Sequence, residues 1–254
     1  MPVLLKSSED HKSLLAEKRR VELLDASVLN SDFCEVSLVL IDPEQPFVDH
    51  IGSDDLVWFQ VLRGSGTVGE YEIDASSIGF AGPECALRIE ATLELELLWT
   101  RVPRAHRFDA DLSDNAGELQ VIDWGNEPVL QSEHDARTRI YVSTPKLIGT
   151  GAIKAEIISY PAGTSAPEHH HEGAEHFQYV LSGSGTVVLE GVSHALKAGD
   201  ILYNYPNERH WFYTNQNAEK FCFRRVVYSR TLQNNLGRGR KSLRMAADRF
   251  RYPR

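Results

Sequence analysis

The sequence predicts an all-β protein in which one strand-rich unit of roughly a hundred residues occurs twice, and three observations predict it. Between residues 33 and 102 the chain alternates short runs rich in branched and aromatic residues (34–41, 56–62, 67–73 and 92–102) with Gly, Pro, Asp and Ser. Short strands separated by such turn residues are the pattern of a β-sandwich or barrel. The same pattern resumes at 139–142, 152–160, 177–181, 186–189, 201–203, 211–213 and 221–228. Finally, Phe59-Gln-Val-Leu-Arg-Gly64-Ser-Gly-Thr67 is echoed by Phe177-Gln-Tyr-Val-Leu-Ser-Gly183-Ser-Gly-Thr186, and aligning the Gly-Ser-Gly-Thr elements gives an offset of 183 − 64 = 119 residues. Self-similarity at a fixed period means a repeated structural unit.

Around these strands the remaining elements follow in order. Ser8 can cap a short helix over 9–20, with Leu14 and Leu15 supplying its apolar side. Residues 109–135 are polar and read as a connection between units with some local structure. This places the domains at 1–125 and 126–254. The stretch 242–250 predicts a second short terminal helix. The seven basic residues between Arg238 and Arg254, set against Asp248 alone, form a solvated tail or dock on an acidic surface.

Composition narrows the function classes. A formal net charge of −9 argues against a nucleic-acid binder, which normally carries a basic face. No run approaches the roughly 18 apolar residues of a membrane span, and charges at Glu9, Asp10 and Lys12 interrupt any apolar leader. The expectation is a cytoplasmic protein without membrane or nucleic-acid partners, acting on a small molecule. Cys34, Cys85 and Cys222 are odd in number and form no CxxC pair, which disfavours thiolate zinc chemistry.

Histidine carries the strongest chemical signal. Between Gly163 and Gly183 stand His169, His170, His171 and His176 with Glu168, Glu172 and Glu175; His210 follows a Gly199-Asp200 turn and opens another run. Residues two apart on a strand share a face. His169 and His171 therefore point together, with His170 turned away, and His176 and His210 can close the set from neighbouring strands. A solvated turn with a chance run of histidines is the plain alternative, and it leaves unexplained why His176 and His210 fall at matching places. Imidazole suits Fe, Ni, Cu and Zn and tolerates Mn.

The two segments resemble the paired motifs of the cupin superfamily. Gly163, His169, His171 and Gly183 match G-x5-H-x-H-x3,4-E-x6-G, and Gly199 and His210 match G-x5-P-x-G-x2-H. The resemblance is close over about 150–230 and extends through the repeat to about 33–105. It departs at the motif glutamate, where His176 stands, although a one-residue slip would give Glu175 the role. It departs again at Tyr205 and Asn207, which replace the second motif's Pro and Gly. The resemblance implies two tandem double-stranded β-helix barrels, a bicupin of jelly-roll type, with a divalent transition metal held by His169, His171, His176 and His210 in the second. Fe(II) is the expected ion, with Mn, Ni, Cu or Zn as alternatives, and a homodimer is the expected assembly.

In the first unit the equivalents of His169, His171, His176 and His210 are His50, Gly52, Val57 and Leu87, so a single histidine survives and the unit is expected to be structural. A four-histidine set leaves the ion its full charge. It therefore favours an anionic or enolisable substrate, and the expected activity is dioxygenase-type oxidation of a small oxygen-rich or aromatic acid or diketone. A redox-neutral isomerase, lyase or hydrolase is the alternative, and a metal-containing binding or sensor protein a third. Gln178 and Val180 should face inward with His176, and Phe212 and Thr214 with His210. Gln178 and, beside the site, Glu175 are the candidate catalytic residues, and Arg224 or Arg225 could pair with a substrate carboxylate.

Overall fold

The computed structural model describes residues 1–7, 9–112, 119–133, 135–215 and 221–229. The expected helix over 242–250 and the basic tail lie outside the described residues. The expected leading helix forms as α1, Glu9–Lys18. The first half then runs through β2 (Arg20–Leu24), β3 (Glu35–Ile41), β4 (Phe47–His50), β5 (Leu56–Val68), β6 (Tyr71–Asp74), β7 (Ser77–Ala81), β8 (Ala86–Val102) and β9 (Leu119–Asp123). The second contains β10 (Leu130–Gln131), β11 (Thr138–Ser143), α2 (Pro145–Ile148), β12 (Lys154–Tyr160), β13 (Ala174–Ser182), β14 (Ser184–Leu189), β15 (Val192–Lys197), β16 (Ile201–Asn204), β17 (His210–Tyr213) and β18 (Phe221–Ser229). A short strand β1, Val3–Leu5, precedes them all. The fold is an all-β jelly roll.

The repeat is visible in the strand order. One sheet runs β2-β3-β8-β5-β7-β9 and the other β10-β11-β12-β18-β13-β16-β1, with β15-β14-β17 as a smaller third sheet. β3 and β12 begin 154 − 35 = 119 residues apart and are equally long. The matching glycines, Gly64 and Gly183, both have left-handed φ, 89° and 75°. A side chain at 64 would meet the Glu94 carbonyl, so only glycine fits there. Even the irregularity recurs: the β5–β8 register shifts between Val61 and Arg63, and the β13–β18 register between Val180 and Ser182. The expected single run at 67–73 is in fact the end of β5 and the start of β6, because the chain turns at Gly69, whose φ is 57°.

The two lead-in strands are exchanged. β1 pairs antiparallel with β16 of the second sheet, while β9 pairs with β7 of the first. Residues 119–123 are therefore an edge strand of the first sheet, the local structure within the stretch 109–135.

Alternation sorts the side chains into three cores. In β5, Val57, Phe59 and Val61 point into the first unit beside Leu87, Leu97 and Trp99, and Phe59 stacks on Trp99 with centroids 5.8 Å apart. Ile158, Val180, Leu202, Phe212 and Phe223 line the second unit. Between the sheets, Trp58 and Leu98 meet Phe177, Tyr203, Val226 and Tyr228. Trp58 stacks on its repeat equivalent, Phe177, at 6.0 Å and 8°.

Candidate metal centre

The four motif histidines converge inside the second unit. His169 and His210 form a bridge in which each backbone N–H donates to the other's carbonyl, at 3.0 and 2.9 Å. That pairing puts both rings on one side, with centroids 4.4 Å apart. His171 is two residues on; the Asn207 amide holds its carbonyl at 2.9 Å, and its ring lies 5.1 Å from His169 and 5.5 Å from His210. His176 enters from β13, 4.7 Å from His171 and 5.0 Å from His210. His169, His171 and His210 offer nitrogens within 4.8 Å of one another. Two nitrogens on one ion at about 2.1 Å each stand at most about 4.2 Å apart, so a small inward movement suffices.

Local chemistry aims the lone pairs. His169 Nδ1 lies 3.0 Å from the Pro167 carbonyl, and His210 Nδ1 lies 3.0 Å from that of Glu208. A carbonyl only accepts, so each Nδ1 carries the proton and each Nε2 keeps its lone pair for the interior. Both nitrogens of buried His176 and Nε2 of buried His210 have no hydrogen-bond partner among the described residues. Buried polar atoms normally find one. Burial, then the Arg225 charge and the other histidines, lowers the His171 pKa to about 2; burial, then His169, lowers that of His210 to about 3. Burial first, then His171, holds His176 well below the ordinary range. All three are neutral at pH 7, as metal coordination requires. His169 and His171 are half-exposed, so the cluster opens on their side.

The other expected residues divide. Gln178 faces inward two residues beyond His176, buried, its Oε1 without a partner among the described residues. Glu175 does not join it. Its strand parity turns it to the other face of the sheet, where the Tyr203 hydroxyl donates to its carboxylate, and this corrects the expectation that it stands at the site. Phe212 lines the cleft beside the histidines, whereas Thr214 Oγ1 donates to the Pro161 carbonyl in a turn. His170 and Glu168 are exposed, Glu168 accepting from Arg209 at 3.1 Å. Of the two arginines, Arg224 lies in the core between the sheets, with its guanidinium 5.6 Å from the Trp58 ring. Arg225 reaches the site: Nε and Nη2 donate to Glu156 Oε1, and Nη1 lies 3.4 Å from His171 Nε2. Burial alone would raise the pKa of Glu156, but Arg225, Lys154 and Arg139 together hold it below the usual carboxylate range.

Sequence reasoning missed Asn204 and Arg137. Asn204 pairs with His176 across β16 and β13, fully buried, and neither amide atom has a partner among the described residues. Extending the 201–203 run by one residue puts Asn204 on the inward face with Leu202, so parity carried that signal. Arg137 lines the cleft with Tyr160, Gln178, Phe212, Phe223 and Arg225; no local pattern distinguishes it. In the first unit, Val57 and Leu87 occupy the places of His176 and His210 within an apolar core, and His50 is exposed at the end of β4.

Residues 156–223 match the family model described as a cupin domain. The match spans β12 to β18 and contains all four converging histidines. Among solved structures, a variant of salicylate 1,2-dioxygenase from Pseudoaminobacter salicylatoxidans in complex with gentisate is 14% identical, with TM-score 0.68, over 92% of this chain and 83% of that one. Protein Ylba from E. coli is 16% identical, with TM-score 0.64, over 88% and 84%. Bacillus subtilis oxalate decarboxylase, in a study of its Mn(II) centers, is 13% identical, with TM-score 0.61, over 83% and 72%. At these identities the likeness is one of fold, and it extends beyond residues 156–223 into the first half of the chain. Among the described residues no helix is long and apolar enough to cross a membrane.

Proposed function

We propose that the protein is a metal-dependent bicupin enzyme whose metal is held by His169, His171, His176 and His210, and that it oxidises a small oxygen-rich or aromatic acid or diketone in the manner of a dioxygenase. The observation that carries this reading is the grouping of His169, His171 and His210, whose nitrogens lie within 4.8 Å of one another, with the buried and unpartnered nitrogens of His176 beside them among the described residues, while the cluster stays open beside His169 and His171. Their donor set fits a divalent transition ion, with Fe(II) favoured and Mn, Ni, Cu or Zn as alternatives. When bound, such an ion supplies Lewis acidity and, if redox-active, a path for electrons between substrate and O2.

The chain's own residues do the rest. Pro167 and Glu208 carbonyls fix two rings. The amides of Gln178 and Asn204 offer hydrogen bonds to an oxygen atom placed among the rings, and Phe212 and Phe223 keep water from that side. The first unit, filled by Val57, Leu87 and Trp99, serves as scaffold. We also propose that domains at 1–125 and 126–254, a homodimeric assembly and a cytoplasmic site of action accompany this activity.

The test is O2 consumption by Fe(II)-loaded protein across a panel of small acids and diketones, abolished in His171→Ala. Absence of turnover with every redox metal across that panel overturns the oxidative reading. A redox-neutral reaction is the second reading, supported by the presence of a decarboxylase among proteins of the same fold; it predicts equal rates with and without oxygen. Tight ligand binding with no product is the outcome expected of a sensor.

A further inference from the structure

One lone pair in the histidine cluster already has a partner in the protein, and that partner is a cation. Nε2 of His210 and both nitrogens of His176 have none among the described residues, whereas Nε2 of His171 lies 3.4 Å from Nη1 of Arg225. A guanidinium offers N–H donors and no acceptor, so Arg225 can only donate there. The receiving nitrogen is then unprotonated, and a neutral imidazole has one such nitrogen. Nε2 therefore holds the single lone pair with which His171 could bind an ion.

The strands fix this contact from both sides. On β18, Arg225 stands directly opposite Glu156 of β12 and Gln178 of β13. Side chains directly opposed on antiparallel strands are close enough to pair. Glu156 uses that closeness: its Oε1 accepts from Nε at 2.9 Å and also from Nη2. Both residues are buried, and Arg139 Nη1 lies 3.7 Å from the other oxygen, Glu156 Oε2. An arginine held through Nε and Nη2 has its plane set, which leaves Nη1 as the nitrogen aimed at the cluster. Charge balance needs only Glu156; it does not account for the reach to His171.

That reach runs against the usual support of a metal-binding histidine. The second nitrogen of such a ring ordinarily donates to a carboxylate or carbonyl, which strengthens the first as a ligand. His169 and His210 follow that rule at the Pro167 and Glu208 carbonyls. At His171 a positively charged donor faces the lone pair itself.

We propose that Arg225 competes with the metal for the lone pair of His171 Nε2, and so holds down the affinity of a site that four histidines would otherwise make tight. This rests on the four-histidine metal reading, and the test tells the two apart. Zn(II) is the probe, because imidazole sites hold it more tightly than Mn(II) or Fe(II). Its affinity is measured at one pH by competition with a chromophoric chelator, in wild type, Arg225→Gln, Glu156→Gln and the double variant.

Losing a residue from the shell around a metal site usually weakens binding, by about 10- to 100-fold. Here the sign reverses: Arg225→Gln should bind Zn(II) tighter by about that factor, 10- to 100-fold. Glu156→Gln keeps an acceptor oxygen for Nε but leaves the guanidinium charge uncompensated, so binding should weaken about tenfold. The double variant should keep most of the gain.

Weaker binding in all three variants is what a purely structural pair predicts, and it overturns the proposal. An Arg225→Gln affinity within about threefold of wild type does the same. A gain that vanishes in the double variant also overturns it, since the unmasked Glu156 carboxylate would then be what attracts the ion. If no protein of the set binds Zn(II), the metal reading falls and the proposal falls with it; binding by Arg225→Gln and not by wild type supports both. Should Arg225→Gln fail to fold, nitrogen-15 spectra of chelator-treated wild type decide. A His171 Nε2 resonance typical of a hydrogen-bond acceptor supports the competition, and one typical of an unbonded imidazole nitrogen overturns it.

Discussion

His210 sits in almost complete burial with its Nδ1 proton given to a carbonyl, and His176 is buried with both nitrogens unanswered by the protein. Neutral imidazoles held this way tie stability to pH. Their folded pKa lies below the unfolded value of 6.5, down to about 3 for His210. Above 6.5 both states are neutral; as pH falls below it, the unfolded chain takes up protons that the folded site refuses, and stability is lost. The slope is about 1.4 kcal/mol per pH unit for each fully buried histidine. Glu156, lowered from 4.5, acts in the same direction but only as pH approaches 4.5, so the window from 6.5 to 4.5 isolates the histidines. Urea midpoints of chelator-treated protein should fall steadily through that window, and more gently in His210→Asn. A flat profile contradicts the burial of neutral imidazoles. At this scale much was legible beforehand: strand parity picks out His169, His171, His176 and Gln178 as inward-facing. The parity of Glu175 excludes it by the same rule. Arg137 was not legible, because only the folding of its segment against β12 brings it beside Tyr160.

Strand exchange makes β1 an element on which the site depends, though it is three residues long. β1 lies against β16 with Leu4 opposite Leu202, and β16 carries Asn204 to His176. The chain after β1 is tied down at Asp200, a buried carboxylate that accepts from Ser7 N at 2.7 Å and Lys197 N at 3.0 Å. Removing residues 1–7 deletes this edge and leaves a buried acid short of donors, a loss on the order of 3 kcal/mol for the orphaned carboxylate alone. We expect the truncated protein to melt at lower temperature and to retain less metal, read by thermal melts and metal analysis on the same samples. Unchanged metal content would mean that β16 holds its position without β1. The sequence could not have announced this pairing. Val3, Leu4 and Leu5 are too few to display a period, and their partner lies nearly two hundred residues away. β2, β3, β11 and β12, by contrast, recur at one offset and alternate clearly enough to be read locally. The repeated string itself misleads by one place: it aligns Phe59 with Phe177, whereas the offset of 119 and the folded registers align Phe59 with Gln178, one facing the apolar core and the other the cleft.

For the whole molecule, the core between the sheets decides whether the halves behave as one. Trp58 and Phe177 stack across it, and Leu24, Leu98, Phe108, Tyr203, Val226 and Tyr228 complete a buried cluster drawn from both sheets. Because β1 pairs with β16, residues 126–254 lack an edge strand of their own sheet when separated. The residues 126–254 expressed alone should therefore be poorly folded and hold little metal, despite containing all four histidines. Trp58→Ala tests the coupling in the intact chain. It belongs to the other sheet and stacks on Phe177, so it is not itself a proposed ligand. Truncating a fully buried aromatic costs about 3–5 kcal/mol. If the shared core couples the halves, the whole unfolding transition moves down as one, and near- and far-ultraviolet signals stay superimposed. Metal should then raise that single transition in both proteins, since a ligand bound only to the folded state stabilises everything that unfolds with it. Two separated transitions in wild type, only the later of them shifted by metal, would mean that the halves are independent and the exchange of strands is incidental to stability.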